Sequence, residues 1–512
     1  MNFNILKKSI FAILTLLFSG CSDDFLDINP TSVLTTEQLQ EAVLVNEEVT
    51  YGTVNGLYSM MFQPGTGGGF GAVDFGQKGY DIISDMTSSD MALSQSTYNW
   101  YYTVASLAVG GDYTNNYGTL PWVYYYKIIR QANLAIETLG GNDLGLDENG
   151  EVIQDFEWQN DELKWGLGQA RAMRAYGYFY LSQFYVTKYE ENTPALPIYT
   201  TTNTGNVGLS TNKEVYDLMI KDLVTAKAFL SDFDRKFKHK IDTDVAGALL
   251  AYVYAAKKDY LNAQRQLKLI MDAGNFEVTP KDEIVFNGDP KKGGFNNVET
   301  QGWMWGVDIK LDYGINLSSF WGKMDIYSYS YQWAGDVKAI DEGLYAQIGE
   351  NDVRKRQFNT GSPSPQWWGT PSNKFYDDDR ELGGQRFVEA DNVYMRYSEI
   401  VLLYAEMCAR LNQDGLAKDA LKILLKERIN GDYESNIDNI TDNEDLLKRI
   451  HLETRIELFG EGKSYLAFKR FEASVKRGEN HLTRVGDVIE YDSDEVTFEI
   501  PLLEVQDNPF ID

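Results

Sequence analysis

Two stretches of this chain alternate small and bulky residues in a way that only closely packed helices accommodate. Residues 168–185 read GQARAMRAYGYFYLSQFY, with Gly and Ala set between Tyr, Phe and Met. A neighbouring helix can approach the small positions while the large side chains fill its grooves. Residues 244–274 read DVAGALLAYVYAAKKDYLNAQRQLKLIMDAG and carry the same alternation. Around them the apolar spacing predicts further helices over 35–58 (Thr36 the N-cap before Glu37), 122–139 (stopped by Gly140-Gly141), 158–189, 212–230 and 242–257. In the last third, helices are expected over 397–411 and 415–428 and as a hairpin over 441–475, with 496–510 extended. Tyr397, Val401, Tyr404, Cys408 and Leu411 recur at four, three, four and three, which makes one buried stripe and Cys408 a core thiol.

Ala246, Leu249, Leu250 and Tyr254, then Tyr260, Ala263 and Leu267, resemble the small–large pattern of tetratricopeptide helix hairpins, though the repeat is not strict. The expected fold class is therefore mostly α: a tetratricopeptide-like scaffold of a few degenerate hairpins with irregular, aromatic-rich loops and short strands inserted. Residues 74–120 read as irregular.

The candidate ligand site lies in the insertions. Residues 303–333 read WMWGVDIKLDYGINLSSFWGKMDIYSYSYQW and hold nine aromatic residues in 31 positions, about twice the 13% of the whole chain. Tyr327, Tyr329, Tyr331 and Trp333 recur every second residue, which fits a short strand or extended loop with one aromatic face. A second cluster holds Tyr98, Trp100, Tyr101 and Tyr102. Ring faces stack on flat, partly polar ligands while Trp N–H and Tyr O–H donate hydrogen bonds, so sugars are the obvious ligand class. Tyr98, Trp100, Trp303, Trp305, Trp321, Tyr329 and Trp333 are the predicted stacking faces, with Asn99, Asp85 and Gln332 as nearby hydrogen-bonding groups. For any single ring, packing of a loop onto the domain is an equally good reading; the clustering favours binding.

Residues 1–21 read MNFNILKKSIFAILTLLFSGC: Lys7 and Lys8, an apolar core from Ile10 to Phe18, then Ser19 and Gly20. This is a secretory signal, too short to span a bilayer, and Cys21 directly after Ser-Gly makes it a lipoprotein signal in which Cys21 carries the lipid. Phe18 stands where Leu is usual. Several acyl chains hold a protein stably where one gives marginal binding. Loss of Lys7 and Lys8 takes the formal charge from −29 to −31, which repels phosphate backbones and argues against nucleic acid as a partner. Only Cys408 remains besides Cys21, so no intrachain disulfide is available. His239, His451 and His481 lack ligand spacing, Gly145 stands where a calcium loop would need its first Asp, and no P-loop or nucleophile elbow occurs. No metal, cofactor or catalytic residue is expected, although 76 acidic residues leave room for a hidden carboxylate pair.

A family resemblance runs through most of the chain. Cys21 with Phe25-Leu26-Asp27 and Pro30; Arg171 and Arg174-Ala175 with Pro197 beyond; Arg396, Glu399, Leu402 and Ala405-Glu406; Glu453, Arg455, Glu457-Leu458 and Glu461-Gly462; and Ile500-Pro501, Glu504 and Asn508-Pro509 occur in the order and spacing of the SusD/RagB family. The chain thus resembles outer-membrane nutrient-binding lipoproteins of Bacteroidetes, and Ser22, Asp23 and Asp24 behind Cys21 resemble their export signal to the outer face. It departs at Ser464 and Ala467, where Arg and Asp are common, at Phe471, where a Trp is usual, and at Ser398, which stands for Ala. The resemblance implies a non-catalytic, lipid-anchored protein of the cell outer membrane facing the exterior. It would capture an oligo- or polysaccharide and deliver it to a SusC-like TonB-dependent transporter. It transfers no ligand residue by motif. The expected division is 1–20 signal peptide, 21–230 SusD-like N-terminal region, 231–290 a further hairpin, and 291–512 the C-terminal region with the aromatic loops and closing helices. Two other readings stay open: capture of peptides by backbone pairing to the aromatic strand, and a surface glycoside hydrolase, for which Asp85 and Asp90 are the first carboxylates to test.

Overall fold

A computed structural model describes residues 36–511 apart from residue 70; the expected signal peptide, Cys21 and the Phe25-to-Pro30 motif lie outside the described residues. The chain opens with α1 (Thr36–Val45) and α2 (Glu47–Ser59) instead of the single expected helix. Asn46 divides them: its backbone is extended, and its side chain accepts the Glu48 N–H at 3.0 Å, capping the second helix. Residues 74–120, expected to be irregular, hold α3 (Gln77–Thr87), β1 (Met91–Gln95) and the single turn α4 (Tyr102–Ala105). Every residue of α3 is buried, Lys78, Asp81 and Asp85 included. Tyr80, Ile83 and Met86 lie on one side of this short helix and Lys78, Asp81 and Asp85 on the other; the charged side reads as a solvated face, and only distant partners bury it.

The scaffold follows: α5 (Asn116–Thr138), α6 (Asp161–Tyr185), the pair β2 (Pro194–Leu196) and β3 (Ser210–Thr211), α7 (Asn212–Phe229), α8 (Thr243–Ala256) and α9 (Tyr260–Ala273). Helix α6 packs between α5 and α7, and α8 between α7 and α9, so the small–large faces meet as the alternation demands. Arg171 and Arg174 point into this stack from α6, and both guanidiniums bind the buried Asp222 carboxylate of α7, at 3.1 and 2.7 Å.

The inserted region contains β4 (Trp303–Val307), the turns α10 (Trp321–Met324) and α11 (Tyr331–Ala334), β5 (Val337–Ile340) and α12 (Glu342–Ala346). Then come β6 (Asn392–Arg396), α13 (Tyr397–Arg410), α14 (Asp414–Leu425), α15 (Glu434–Asp438), α16 (Asn443–Glu457), α17 (Ser464–Arg470), the β7 (Ser474–Lys476) and β8 (Val488–Glu490) hairpin, and α18 (Leu502–Asp507) where an extended end was expected. The described strands form two-stranded antiparallel pairs, β1 with β5, β2 with β3, β4 with β6 and β7 with β8. Helix α13 is buried from Tyr397 to Ala409, so the expected single stripe is a whole buried cylinder; Cys408 lies inside it, 3.0 Å from Gln264 Nε2, its thiol pKa raised by burial.

The motif residues of the last third converge on one buried ion network. Arg396 binds Glu461 at 2.7 Å and Glu457 at 3.0 Å, Arg428 binds Glu457 at 2.8 Å, Arg354 reaches Asp352 and Glu453, and Lys374 Nζ meets Glu461 at 2.8 Å. Burial opposes ionisation of Glu461, but Arg396 and Lys374 prevail and hold its pKa down at about 2. Buried charge is tolerable because each group is answered several times over. The Ser398 departure has a use here: its hydroxyl accepts from Arg396 Nη1 at 3.2 Å and Arg428 Nη2 at 3.4 Å.

Candidate functional site

The β1–β5 pairing brings the two aromatic clusters together. Met91 stands opposite Ile340 and Gln95 opposite Val337, so the chain leaving β1 and the chain entering β5 emerge side by side. Beyond the strands, Thr97 N–H donates to Gly335 O at 3.1 Å, and the buried Asp336 carboxylate accepts from Thr97 N–H at 2.7 Å and Tyr98 N–H at 2.8 Å. Gly335 has φ +111° and a Cβ there would sit 2.5 Å from Thr97 Oγ1, so glycine is what lets the strands close at this point. One carboxylate ties residues 98–102 to residues 327–334.

On this base the rings assemble. Tyr98 and Trp100 each meet Tyr331 edge-on, at centroid distances of 5.4 and 5.7 Å. Lys323 Nζ lies 3.6 Å from the Tyr331 ring centre and 5.1 Å from that of Trp100. Burial, then the neighbouring Lys338, push the Lys323 pKa down to about 6, so the amine is mostly neutral at neutral pH. Tyr329 and Trp333 form the second half, with centroids 5.9 Å apart and planes tilted 44°. Gly383, at φ +62°, supports Trp333; a Cβ there would strike the indole at 2.4 Å. The Arg386 guanidinium sits 4.8 Å from the Tyr329 ring centre, and Arg380 lies 4.2 Å from that of Tyr327 while donating to its hydroxyl at 2.6 Å. Tyr98 is 52% exposed and Tyr329 38%, while Trp100, Tyr331 and Trp333 are half-buried. Two groups of part-exposed rings result, Tyr98, Trp100 and Tyr331 in one and Tyr329 and Trp333 in the other.

The every-second-residue pattern has its predicted consequence in burial and a different one in backbone. Tyr327, Tyr329, Tyr331 and Trp333 face outward at least in part, while Ser328, Ser330 and Gln332 are buried. No strand forms. Tyr327 N–H is taken by Asp325, Tyr329 N–H by Gln385 O and Trp333 N–H by the Ser330 hydroxyl, and residues 331–334 close into α11. A peptide would find little free backbone to pair with here.

Three predicted stacking residues are corrected by their burial. Trp303 is fully buried and donates to Gly294 O at 2.7 Å; Trp305 is 1% exposed and donates to His239 O at 2.8 Å; Trp321 is 2% exposed, packed edge-on by Phe320. Their rings have no face open to a ligand. Of the polar groups, Asn99 is exposed beside Tyr98, but Gln332 is buried and bonded to the Lys338 backbone. Asp85 is buried in α3, accepting from Gly460 N–H at 2.7 Å, its pKa raised to about 8 by burial and by Asp81 and Asp90. Asp90 is bound by Arg455 at 2.6 Å. Both carboxylates named for hydrolysis are buried, with no open surface among the described residues beside them for a sugar chain. Lys323, Asp336 and Arg386 belong to the candidate site, and nothing in their local sequence marks them: Lys323 and Asp336 are placed by contacts with residues more than 220 positions away, Arg386 by its contact with Tyr329. Among the described residues no group of three or more His, Cys, Asp or Glu is placed to hold a metal ion.

Clefts also lie away from these rings. One of about 590 Å³ is lined by Tyr113, Tyr185, Phe498 and Leu502 among others, and one of about 360 Å³ by Trp122, Tyr126, Tyr199, Arg130 and Glu504.

Comparison with known proteins decides the family. The SusD family model matches residues 323–500, and a second model, described as starch-binding associating with outer membrane, matches residues 24–255. The chain belongs to the SusD family. Its fold is shared with a SusD-like carbohydrate binding protein from Bacteroides vulgatus, at 21% identity and a TM-score of 0.72 over 91% of this chain and 97% of that one. A SusD superfamily protein from Bacteroides thetaiotaomicron aligns at 20% identity and a TM-score of 0.71 over 91% and 99%. One from Parabacteroides distasonis aligns at 16% and 0.65 over 91% and 98%. No curated protein matches the sequence. SusD proteins are a starch- and sugar-binding family associated with the outer membrane, and no helix among the described residues of this member is long and apolar enough to cross a membrane.

Proposed function

We propose that this SusD protein is a non-catalytic, cell-surface glycan receptor. It captures an oligo- or polysaccharide on the platform of Tyr98, Trp100, Tyr329, Tyr331 and Trp333 and delivers it to a SusC-like TonB-dependent transporter, while lipid on Cys21 holds it to the outer membrane, facing outward. The observation that supports the reading is the meeting of two aromatic segments far apart in sequence, Tyr98 and Trp100 with Tyr331, beside the Asp336 clamp, with the part-exposed pair Tyr329 and Trp333 next to them in the chain. Rings at several tilts, half-open and rimmed by donors, suit successive sugar units, each making a modest contact on a preformed surface. Trp303, Trp305 and Trp321, buried as they are, serve the scaffold under it.

The test is affinity electrophoresis of the protein beginning at Ser22 through gels containing plant, host and microbial polysaccharides. Retardation by a glycan, abolished in a Tyr98→Ala/Trp333→Ala variant, is the expected result. Retardation unchanged in that variant moves the site elsewhere, and release of reducing sugar from the retarding glycan overturns the non-catalytic reading. For delivery, co-purification of a TonB-dependent barrel with the tagged protein from its own outer membrane is expected, and its absence removes that step.

A further inference from the structure

The platform is short of acceptors. Two buried N–H donors directly beneath or within it, Lys323 Nζ and Trp100 Nε1, have no hydrogen-bond partner among the described residues. At its rim the exposed Arg386 guanidinium lies over Tyr329 with no carboxylate within ion-pair distance among the described residues. The acids of its own loop have other partners: Asp377 accepts from Gln385 and Asp378 from Asn296. Elsewhere in the molecule arginines near carboxylates are paired, as Arg354, Arg396, Arg428, Arg455 and Arg470 are. Arg130, Arg265, Arg356, Arg380 and Arg477 also lack an ion pair among the described residues, but of the six Arg386 alone is exposed and set over an exposed ring. A guanidinium presents a planar fork of donors that matches a carboxylate in two parallel hydrogen bonds. Among the described residues Asp336 Oδ2 is an unpartnered acceptor in the clamp, and it is buried.

We infer that the glycan taken here bears uronates, one carboxylate being received by Arg386 while the sugar rings lie along Tyr329 and Trp333; the net charge of −29 opposes a polyanion as a whole, so the pairing is local to this guanidinium and favours uronates spaced among neutral sugars. The inference rests on the glycan-platform reading and narrows it to a substrate class. A sulfated glycan shares the negative charge but not the planar fork geometry, so it is a separate arm of the test.

The experiment compares polygalacturonate with the same polymer methyl-esterified, which keeps the sugar and removes the charge, alongside a sulfated glycan and neutral glucans and mannans. The readout is gel retardation and titration calorimetry on oligosaccharides of matched length. The native protein is expected to prefer the free acid to the ester by about tenfold to a hundredfold, the range for a charge-assisted pair at a partly exposed site. That preference shrinks with added salt. Arg386→Gln collapses the acid-to-ester ratio towards one, and Arg386→Lys, which keeps the charge but not the fork, falls between. Arg386 is exposed, so the variants fold, and circular dichroism checks that they do. Binding of neutral glycans alone, or an acid-to-ester ratio unmoved by Arg386→Gln, overturns the inference and leaves the glycan platform standing. Preference for the sulfated arm over polygalacturonate overturns the carboxylate assignment. Retardation by no glycan of any charge overturns the platform reading itself.

Discussion

Trp303, Trp305 and Trp321 come from the same aromatic stretch as Tyr329 and Trp333, and they end in opposite surroundings. The first three sit in or beside strands and turns that pack on the helices, with 2% exposure or less, and Trp303 and Trp305 spend their N–H groups on backbone carbonyls. The other two sit where serines and Gln332 alternate with the rings, and the small polar residues take the inside. What separates the fates is the identity of the neighbours. Met304 and Val307 give β4 apolar residues around its tryptophans, so the whole strand goes under. Ser328 and Ser330 can satisfy turn backbone from within, Ser330 capping α11, which leaves the large rings outside. An aromatic cluster therefore marks a place where rings are needed, and only the residues between them tell whether the need is packing or binding.

The sharpest way to break this contrast is Trp305→Ala. It removes a fully packed indole between Tyr176 and Tyr394 and should cost about 3–5 kcal/mol, read as a lower denaturant midpoint. Asp336→Ala follows: Thr97 and Tyr98 N–H lose their acceptor, for a cost of about 1–3 kcal/mol. Because the clamp also sets where Tyr98 stands, glycan affinity should fall with it, whereas Trp305→Ala should leave affinity intact in the fraction that stays folded.

Lys323→Met probes the amine beneath the rings through pH. The folded lysine has its pKa near 6, below its unfolded value of 10.5, so between these the unfolded chain binds the extra proton and stability rises with pH. Its contribution is a slope of about 1.4 kcal/mol per pH unit. The variant should be more stable than the parent at pH 7, with the gap closing towards pH 10; a constant gap would mean that the amine is not held neutral. The smallest change in stability belongs to Tyr98→Ala, within about 0.5 kcal/mol, yet affinity should drop by about 1 kcal/mol. That inversion, a large ring that matters to the ligand and little to the fold, is the signature of the open set.

Much of the scaffold is readable in the chain, because α5 to α9 and α13 to α17 carry apolar periodicity, caps and small–large faces that local sequence records. Helix α3 is not, since Lys78, Asp81 and Asp85 look like a solvated surface until the distant partners that answer them are known: Asp85 is met by Gly460 and Gly462, nearly 380 residues on. Of the site, the clusters around Tyr98 and Tyr329 are legible as candidates. Their meeting is not, because it depends on a pairing of β1 with β5 across some 240 residues. Lys323 reaches Trp100 only through that meeting, whereas Arg386 reaches Tyr329 within the inserted region itself.

The most direct test of the account is a crystal structure of the protein with an oligosaccharide that retards it in gels. Sugar rings stacked on Tyr329 and Trp333, with Tyr98 and Trp100 alongside, are predicted. Sugar bound instead in the cleft of Trp122, Tyr126 and Tyr199, with the platform bare, would contradict it.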